Sequence, residues 1–207
     1  MPNSILPHSF YLNDDVCFIA KSLLGKILET NINGVITSGY IVETEAYRGP
    51  DDRASHSFNN RRTPRNESMY QSGGYSYVYI CYGIHFLFNV VTAKKDTAHA
   101  VLIRALEPIE GSAEMLKRRS LKTESNLVTK GPGSLSQALG ITKSYDSVCL
   151  FSLQSPVRIL ESDKNFDPSM IGISTRIGVE SSQEAASYPW RYFIKNSKFV
   201  SATKNSL

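Results

Sequence analysis

The 207-residue chain is 41% hydrophobic and 20% charged, ordinary for a globular protein, and no run approaches the roughly 18 consecutive apolar residues that a membrane span needs. A net charge of +4 with a pI near 8.9 excludes a uniformly basic, histone-like chain and suggests positive charge gathered on one face. Cys17, Cys81 and Cys149 are odd in number and far apart, and the four histidines show no HxxxH or HxH spacing, so neither a disulfide framework nor a metal centre is expected.

No composition shift or Gly/Ser/Pro linker divides the chain, so residues 1–207 read as a single domain with frayed ends at about 1–8 and 203–207. The first residues lack the basic and apolar regions of a secretory signal, which points to a soluble, cytoplasmic protein. Residues 13–25 mark the first helix. Asn13 can cap it, Asp14 and Asp15 suit the positive end of its dipole, and Gly25 suits its end. Val16, Ile19, Ala20, Leu23 and Leu24 form its apolar stripe.

Two strands follow, over 26–32 and 35–47, joined by the hairpin signal Asn33-Gly34. Alternation along the second puts Glu43, Glu45 and Tyr47 on one face and Val42, Thr44 and Ala46 on the other. The stretch from Arg48 to Gly74 shows no periodicity and is long for a plain connection, as functional loops often are. It presents His56 and the cluster Arg61, Arg62 and Arg65, stiffened by Thr63-Pro64 and suited to phosphates.

Residues 75–83 return as a strand with Tyr75, Tyr77, Tyr79 and Cys81 on one face. Such rows usually serve sheet packing. Tyr82, at the turn before Gly83, is instead placed to protrude as a wedge. Strands over 86–92 and 98–106 follow, the second apolar except for Arg104, which needs a partner. Glu107-Pro108 is expected to end it, with a helix over 109–120. Gly131-Pro132-Gly133 then leads into a short helix in which Ser134 and Gln137 have capping-box spacing. The glycines read equally as an anion site at the helix start or as a plain loop. Short strands over 157–160, 171–179 and 191–194 complete the chain.

One acid, one imidazole, several flat rings and clustered guanidinium groups are what a site needs to grip a nucleobase. Glu45 stands out because Tyr47, His56 and Tyr79 could converge on it, whereas His85 and His99 read as structural. The chain has no GxSxG elbow, Walker motif or GxGxxG, so serine-hydrolase, P-loop and dinucleotide readings lack their parts.

Residues 42–50 (VETEAYRGP), 54–57 (ASHS), 63–66 (TPRN), 77–83 (YVYICYG), 104–108 (RALEP) and 130–134 (KGPGS), with 176–179 (RIGV) and 190–193 (WRYF), run in order through the chain. In that order they resemble the mammalian-type alkyladenine (3-methyladenine) DNA glycosylase family, in its compact bacterial form. The resemblance implies an α+β single domain with a curved mixed or antiparallel sheet, partly barrel-like, and surrounding helices. It implies a monofunctional base-excision-repair enzyme that flips damaged purines out of duplex DNA and hydrolyses their glycosidic bond. By the same resemblance Glu45 is the base that activates water and Arg104 its support. Tyr47 and Tyr79 stack on the base, His56 bonds near base and sugar, Asn89 discourages a guanine amino group, and Tyr82 fills the gap in the duplex. Lys130, Gly131 and Ser134, with Arg61, Arg62 and Arg65, are candidate contacts to the DNA backbone. No cofactor, membrane or obligate protein partner is implied, and a monomer is expected, associated with the nucleoid if the source is bacterial. A non-catalytic lesion-binding protein of the same shape is the alternative, and intact Glu45, His56 and Arg104 speak against it.

Overall fold

The computed structural model describes residues 4–164 and 166–202. Its centre is β2 (Val35–Arg48), the longest strand, which serves two neighbours along one edge. Residues 35–40 pair with β1 (Ile27–Ile32), and residues 43–45 pair with β8 (Arg191–Ile194). Register against β5 (His99–Glu110) shifts near Ile41 and Glu43, where β2 passes from one neighbour to the other. An extra residue in one strand bends it and sharpens its twist.

Beyond β5 lie β4 (His85–Thr92) and β3 (Ser76–Cys81); β6 (Val157–Leu160) lies outside β1, and β7 (Ile171–Ser174) outside β8. Every strand pairing is antiparallel, so the eight-stranded sheet is curved without being mixed, and it does not close into a barrel. With its three short helices the fold is α+β.

The two faces of the sheet do different things. Val42, Ala46, Val78, Phe88, Val90, Val101, Ile103 and Ala105 join the main core with α1 (Val16–Ser22) and α3 (Pro132–Leu139). The helices cover that face, and Thr44 Oγ1 donates to the Ala20 carbonyl at 2.9 Å to pin α1 onto β2. On the opposite face Tyr77, Val91, Ala98 and Ala100 form a smaller cluster with Met69 and Tyr70 of the long loop. That second cover makes room for a site.

The expected strands over 157–160 and 191–194 form as read, and the N-terminal apolar stripe of α1 is buried throughout. Other boundaries move for local reasons. Asp15, not Asn13, is the N-cap of α1, its carboxylate accepting the N–H groups of Cys17 and Phe18, while Asn13 accepts that of Asp15. Pro108 does not end β5, because it sits opposite Gly39 at a register shift, where the ladder lacks nothing by losing an N–H. The helix expected over 109–120 therefore shrinks to α2 (Ser112–Arg118), entered through Gly111 at φ 78. Helix α3 begins at Pro132 with Gly131 as N-cap, so Ser134 and Gln137 do not form a capping box; Gln137 instead bonds the Arg118 carbonyl and Arg119. The strand expected over 171–179 leaves the sheet after Ser174.

The frayed ends expected at 1–3 and 203–207 lie outside the described residues, but residues 4–8 are not loose. Ile5 bridges to Leu160 and Leu6 is fully buried.

Strand β3 is an edge strand; outward backbone groups of Ser76 bond to the backbone of Val148 and Ser147, and those of Val78 and the Ile80 carbonyl to side chains. Asp146 accepts the Val78 N–H, Lys143 Nζ donates to the Val78 carbonyl, and Arg65 donates to that of Ile80. Ser68 of the long loop donates to the same Asp146 carboxylate, which ties loop and strand together.

The cap assignment is testable by urea unfolding. Asp15→Ala should cost about 0.5–2 kcal/mol, the range for loss of a cap that accepts two N–H groups, and Asn13→Ala less.

Candidate active site and nucleic-acid interface

Alternation along β2 turns Glu43, Glu45 and Tyr47 away from the helices, and β5 turns Arg104 to the same side. Glu45 is fully buried. Its Oε2 accepts the Tyr47 hydroxyl at 2.8 Å and lies 3.3 Å from Arg104 Nη1, while its Oε1 accepts the Ile177 N–H at 2.8 Å. Arg104 Nε also donates to Glu43 Oε1 at 3.0 Å, so one guanidinium bridges both acids. Glu43 is held further by Arg191 Nε at 2.7 Å and the Ser201 N–H at 2.9 Å. Two carboxylates and two guanidiniums thus share one dry compartment with balanced charge.

Burial on its own would raise the Glu43 carboxyl, but Arg104, Arg191 and the Ser201 N–H outweigh it and hold the group below the usual carboxylate range. Burial likewise works against the Arg104 charge, and Glu45 and Glu43 outweigh it, which keeps the guanidinium ionised. Burial, then the nearby Glu45 charge, push the Tyr47 phenol well above its ordinary range. It stays protonated and donates to Glu45.

Tyr47, His56, Tyr77, Tyr79 and Asn89 line one narrow pocket, floored by Met69 and Ala100. His56 Nδ1 is 2.7 Å from the Tyr77 hydroxyl, and its ring meets that of Tyr79 edge-on at 4.6 Å. Tyr79 stacks on Tyr77 at 5.4 Å. Asn89 donates to the Tyr77 carbonyl at 3.0 Å, which fixes its amide against the strand. All the predicted pocket residues therefore meet beside Glu45. The clear space among them is about 30 Å³, roughly the share of one water in the liquid, so nothing as large as an aromatic ring fits there unless the side chains part.

Tyr82 stands 91% exposed at the tip of the β3–β4 hairpin, with φ 50, followed by Gly83 at φ 70. Two left-handed residues in succession turn the chain tightly and leave the ring with nothing beneath it. Below this hairpin His85 packs against Gly133, where an added Cβ would fall 2.8 Å from the imidazole. The start of α3, with Gly131 and Ser134, thereby stands next to the base of the hairpin that carries Tyr82. Lys130 joins it through a bridge to Ala105, its Nζ 3.5 Å from the Lys198 carbonyl.

The arginine cluster divides. Arg61 and Arg65 are exposed and flank an open cleft beside His56. Arg62 is engaged by Glu67 and Asp96 and lies over the Tyr70 ring, so it is the least free of the three to meet a phosphate. Asn66 folds the segment, accepting from Thr63 and donating to the carbonyls of His56 and Arg61.

Several organising residues carry no assigned role in the sequence reading. Tyr77 was legible as a face-mate of Tyr79. Ile177 acts through its backbone N–H, which no side chain announces, and Glu43 and Arg191 become partners only when β8 docks on β2. Among the described residues, no group of three or more His, Cys, Asp or Glu could hold a metal ion, and no helix is long and apolar enough to cross a membrane.

Comparison with known proteins agrees with this geometry. The model of the methylpurine-DNA glycosylase family matches residues 9–198. A Chlamydia abortus protein named "Putative 3-methyladenine DNA glycosylase" is 49% identical over 191 residues, covering 92% of this chain and 98% of that protein. Proteins of the same name from Chlamydia felis and Desulfitobacterium hafniense are 47% and 42% identical, each over 95% of this chain and covering 100% and 98% of those proteins.

Burial, then Arg65 and Arg61, hold His56 below its ordinary value of 6.5, and burial followed by Arg48 does the same for His99. The unfolded chain therefore binds protons that the folded one refuses, so stability present above pH 6.5 falls as pH drops towards the folded-state values. Melting temperature followed from pH 7.5 to 5 should decline, and His56→Asn should flatten part of that slope.

Proposed function

The chain belongs to the methylpurine-DNA glycosylase family and is a DNA glycosylase, a hydrolase of N-glycosyl bonds, and from that premise we propose how and on what it acts. Its substrates are damaged purines of the 3-methyladenine, 7-methylguanine, hypoxanthine and ethenoadenine class in double-stranded DNA. The purine is turned out of the helix, Tyr82 fills the space it leaves, and the base enters between Tyr47 and Tyr79. Unstacking costs a few kcal/mol, least at damaged or mispaired bases. Stacking on aromatic rings returns about 1–3 kcal/mol per base, and a cationic alkylpurine gains further from π faces.

One observation carries the catalytic assignment. Glu45 is fully buried beside the aromatic pocket, accepts hydrogen bonds from the Tyr47 hydroxyl and the Ile177 N–H, and is ion-paired with Arg104. A carboxylate offers about four lone-pair sites, so two hydrogen bonds leave capacity for a water. Glu45 removes the proton from that water as its oxygen bonds to C1′, and the C1′–N bond breaks with its electron pair going to the departing base. An alkylated, positively charged purine leaves as a neutral molecule and for it this chemistry needs no second acid, whereas a neutral purine such as hypoxanthine must also take up a proton as it departs. The product is an abasic site.

His56, held neutral, is suited to bond the base or sugar without adding charge, and Asn89 suits a role in rejecting the guanine amino group. Arg61, Arg65, Lys130 and the first turn of α3 are suited to phosphates, Arg62 less so. We propose further that residues 1–207 act as one domain and as a monomer, without cofactor or protein partner, in the cytoplasm at the nucleoid. A non-catalytic lesion-binding role fits less well, because it has no use for a buried carboxylate with an open lone pair.

Duplex DNA carrying one hypoxanthine or 7-methylguanine, treated with alkali after incubation, should break at that position. Glu45→Gln should slow release by about 100- to 10,000-fold, the range for loss of a general base, while leaving binding to the lesion duplex intact. Tyr82→Ala should weaken engagement of the lesion duplex by about 1–3 kcal/mol, and full retention of binding and turnover would refute the wedge.

A further inference from the structure

Arg176 lies outside the residues that line the base pocket, yet it touches what holds that pocket in shape. Its guanidinium forms a bidentate pair with Asp52, both side chains being fully buried. It also donates to the carbonyls of Ala46 at 2.8 Å and Ala185 at 3.1 Å. Its Cζ lies 4.7 Å from the centre of the Tyr47 ring and 5.1 Å from that of Trp190. The next residue, Ile177, supplies the N–H that holds Glu45 Oε1. Asp52 in turn accepts the N–H groups of Arg48 and Ala54, at the start of the segment that carries His56. One ion pair therefore joins the back of the stacking ring, the donor to the carboxylate and the root of the histidine loop.

Stability alone is a poor reason for this arrangement. A buried ion pair is often no more stabilising than apolar side chains of the same volume. Arg176 Nε is moreover buried without a hydrogen-bond partner, which costs further. Its position has an electrostatic consequence instead. Tyr47 lines the pocket, whereas Arg176, which lies over the Tyr47 ring, does not. A ring attracts a cation through its negative π face, and a cation already behind it weakens that attraction for a second one. A positively charged purine on Tyr47 gains less than it would on an unbacked ring, whereas a neutral purine is little affected. Asp52 damps the effect without cancelling it, because the guanidinium itself is the charged group in contact with the ring.

We propose that Arg176, paired with Asp52, is a positioning residue that holds Tyr47 and Glu45 in register and evens the enzyme's preference between cationic and neutral damaged purines. The proposal rests on the reading of Glu45 and Tyr47 given above. Its test compares wild type, the charge-free double variant Asp52→Asn/Arg176→Gln and the single variant Arg176→Lys. Single-turnover release of 7-methylguanine and of hypoxanthine is measured from otherwise identical duplexes, together with affinity for undamaged duplex and thermal melting. The double variant should release hypoxanthine about 10- to 100-fold more slowly, as misplaced reacting groups do. Its ratio of 7-methylguanine to hypoxanthine release should rise by about threefold, since the backing charge is gone. Affinity for undamaged duplex should match wild type. Arg176→Lys keeps the charge and loses the fork, so its rates should fall while the ratio stays at the wild-type value.

An unchanged ratio in the double variant, an equal change in the Lys variant, or a loss of undamaged-duplex affinity in step with rate would overturn the proposal. If the double variant does not melt cooperatively, Arg176→Lys decides: slower release at an unchanged ratio supports it, and undiminished release refutes it. Release of neither base by the wild type would sink the Glu45 reading and this one together, whereas wild-type release with an unchanged ratio sinks this one alone.

Discussion

Glu43, Glu45, Arg104 and Arg191 form the constraint on which the structure depends. Charges removed from water are costly unless each finds opposite charge and its remaining hydrogen bonds, and here each acid is met by guanidinium groups and by backbone N–H donors. The arrangement is possible only because β2 changes neighbours midway. Where β1 ends its pairing, β8 begins, and Arg191 is carried on that strand to Glu43. A buried carboxylate is held there without an uncompensated charge because the sheet forks at that point.

The same sheet separates two kinds of cover. Helices pack on the apolar face, and the long loop with the 174–190 segment covers the polar and aromatic one. A sheet buried on both faces usually reads as a continuous apolar run. Residues 41–46 of β2 are indeed all buried, yet Glu43 and Glu45 interrupt the apolar run on one face. The loop is held by Asn66 and by the Asp146 link to β3 rather than by a large core.

Much of this was legible in the residues. Alternation put Glu43, Glu45 and Tyr47 together, and a lone arginine in an apolar strand foretold the partners that Arg104 finds in Glu43 and Glu45. Exposure of Tyr82 followed from its place at a turn. What escaped depends on contacts between distant parts of the chain. Pro108 looked like a strand end because nothing local announced the register shift that accommodates it. The strand expected over 171–179 ends at Ser174 because the chain leaves the ladder to bring Arg176 and Ile177 to the site, where tertiary contacts override β propensity. Asn13 lost the cap position to Asp15 by two residues, a difference that composition cannot resolve.

The edge of β3 has a consequence for the free protein. A hairpin whose exposed tip carries Tyr82 and Ile84, at the open margin of a sheet, is the kind of margin at which a second molecule adds its own strand and aggregation starts. Asp146, Lys143 and Arg65 already occupy both backbone groups of Val78 and the Ile80 carbonyl, groups such an intruder would need. The hairpin can therefore carry an apolar tip at its end while its side offers a poorer template, so self-association is discouraged along that margin.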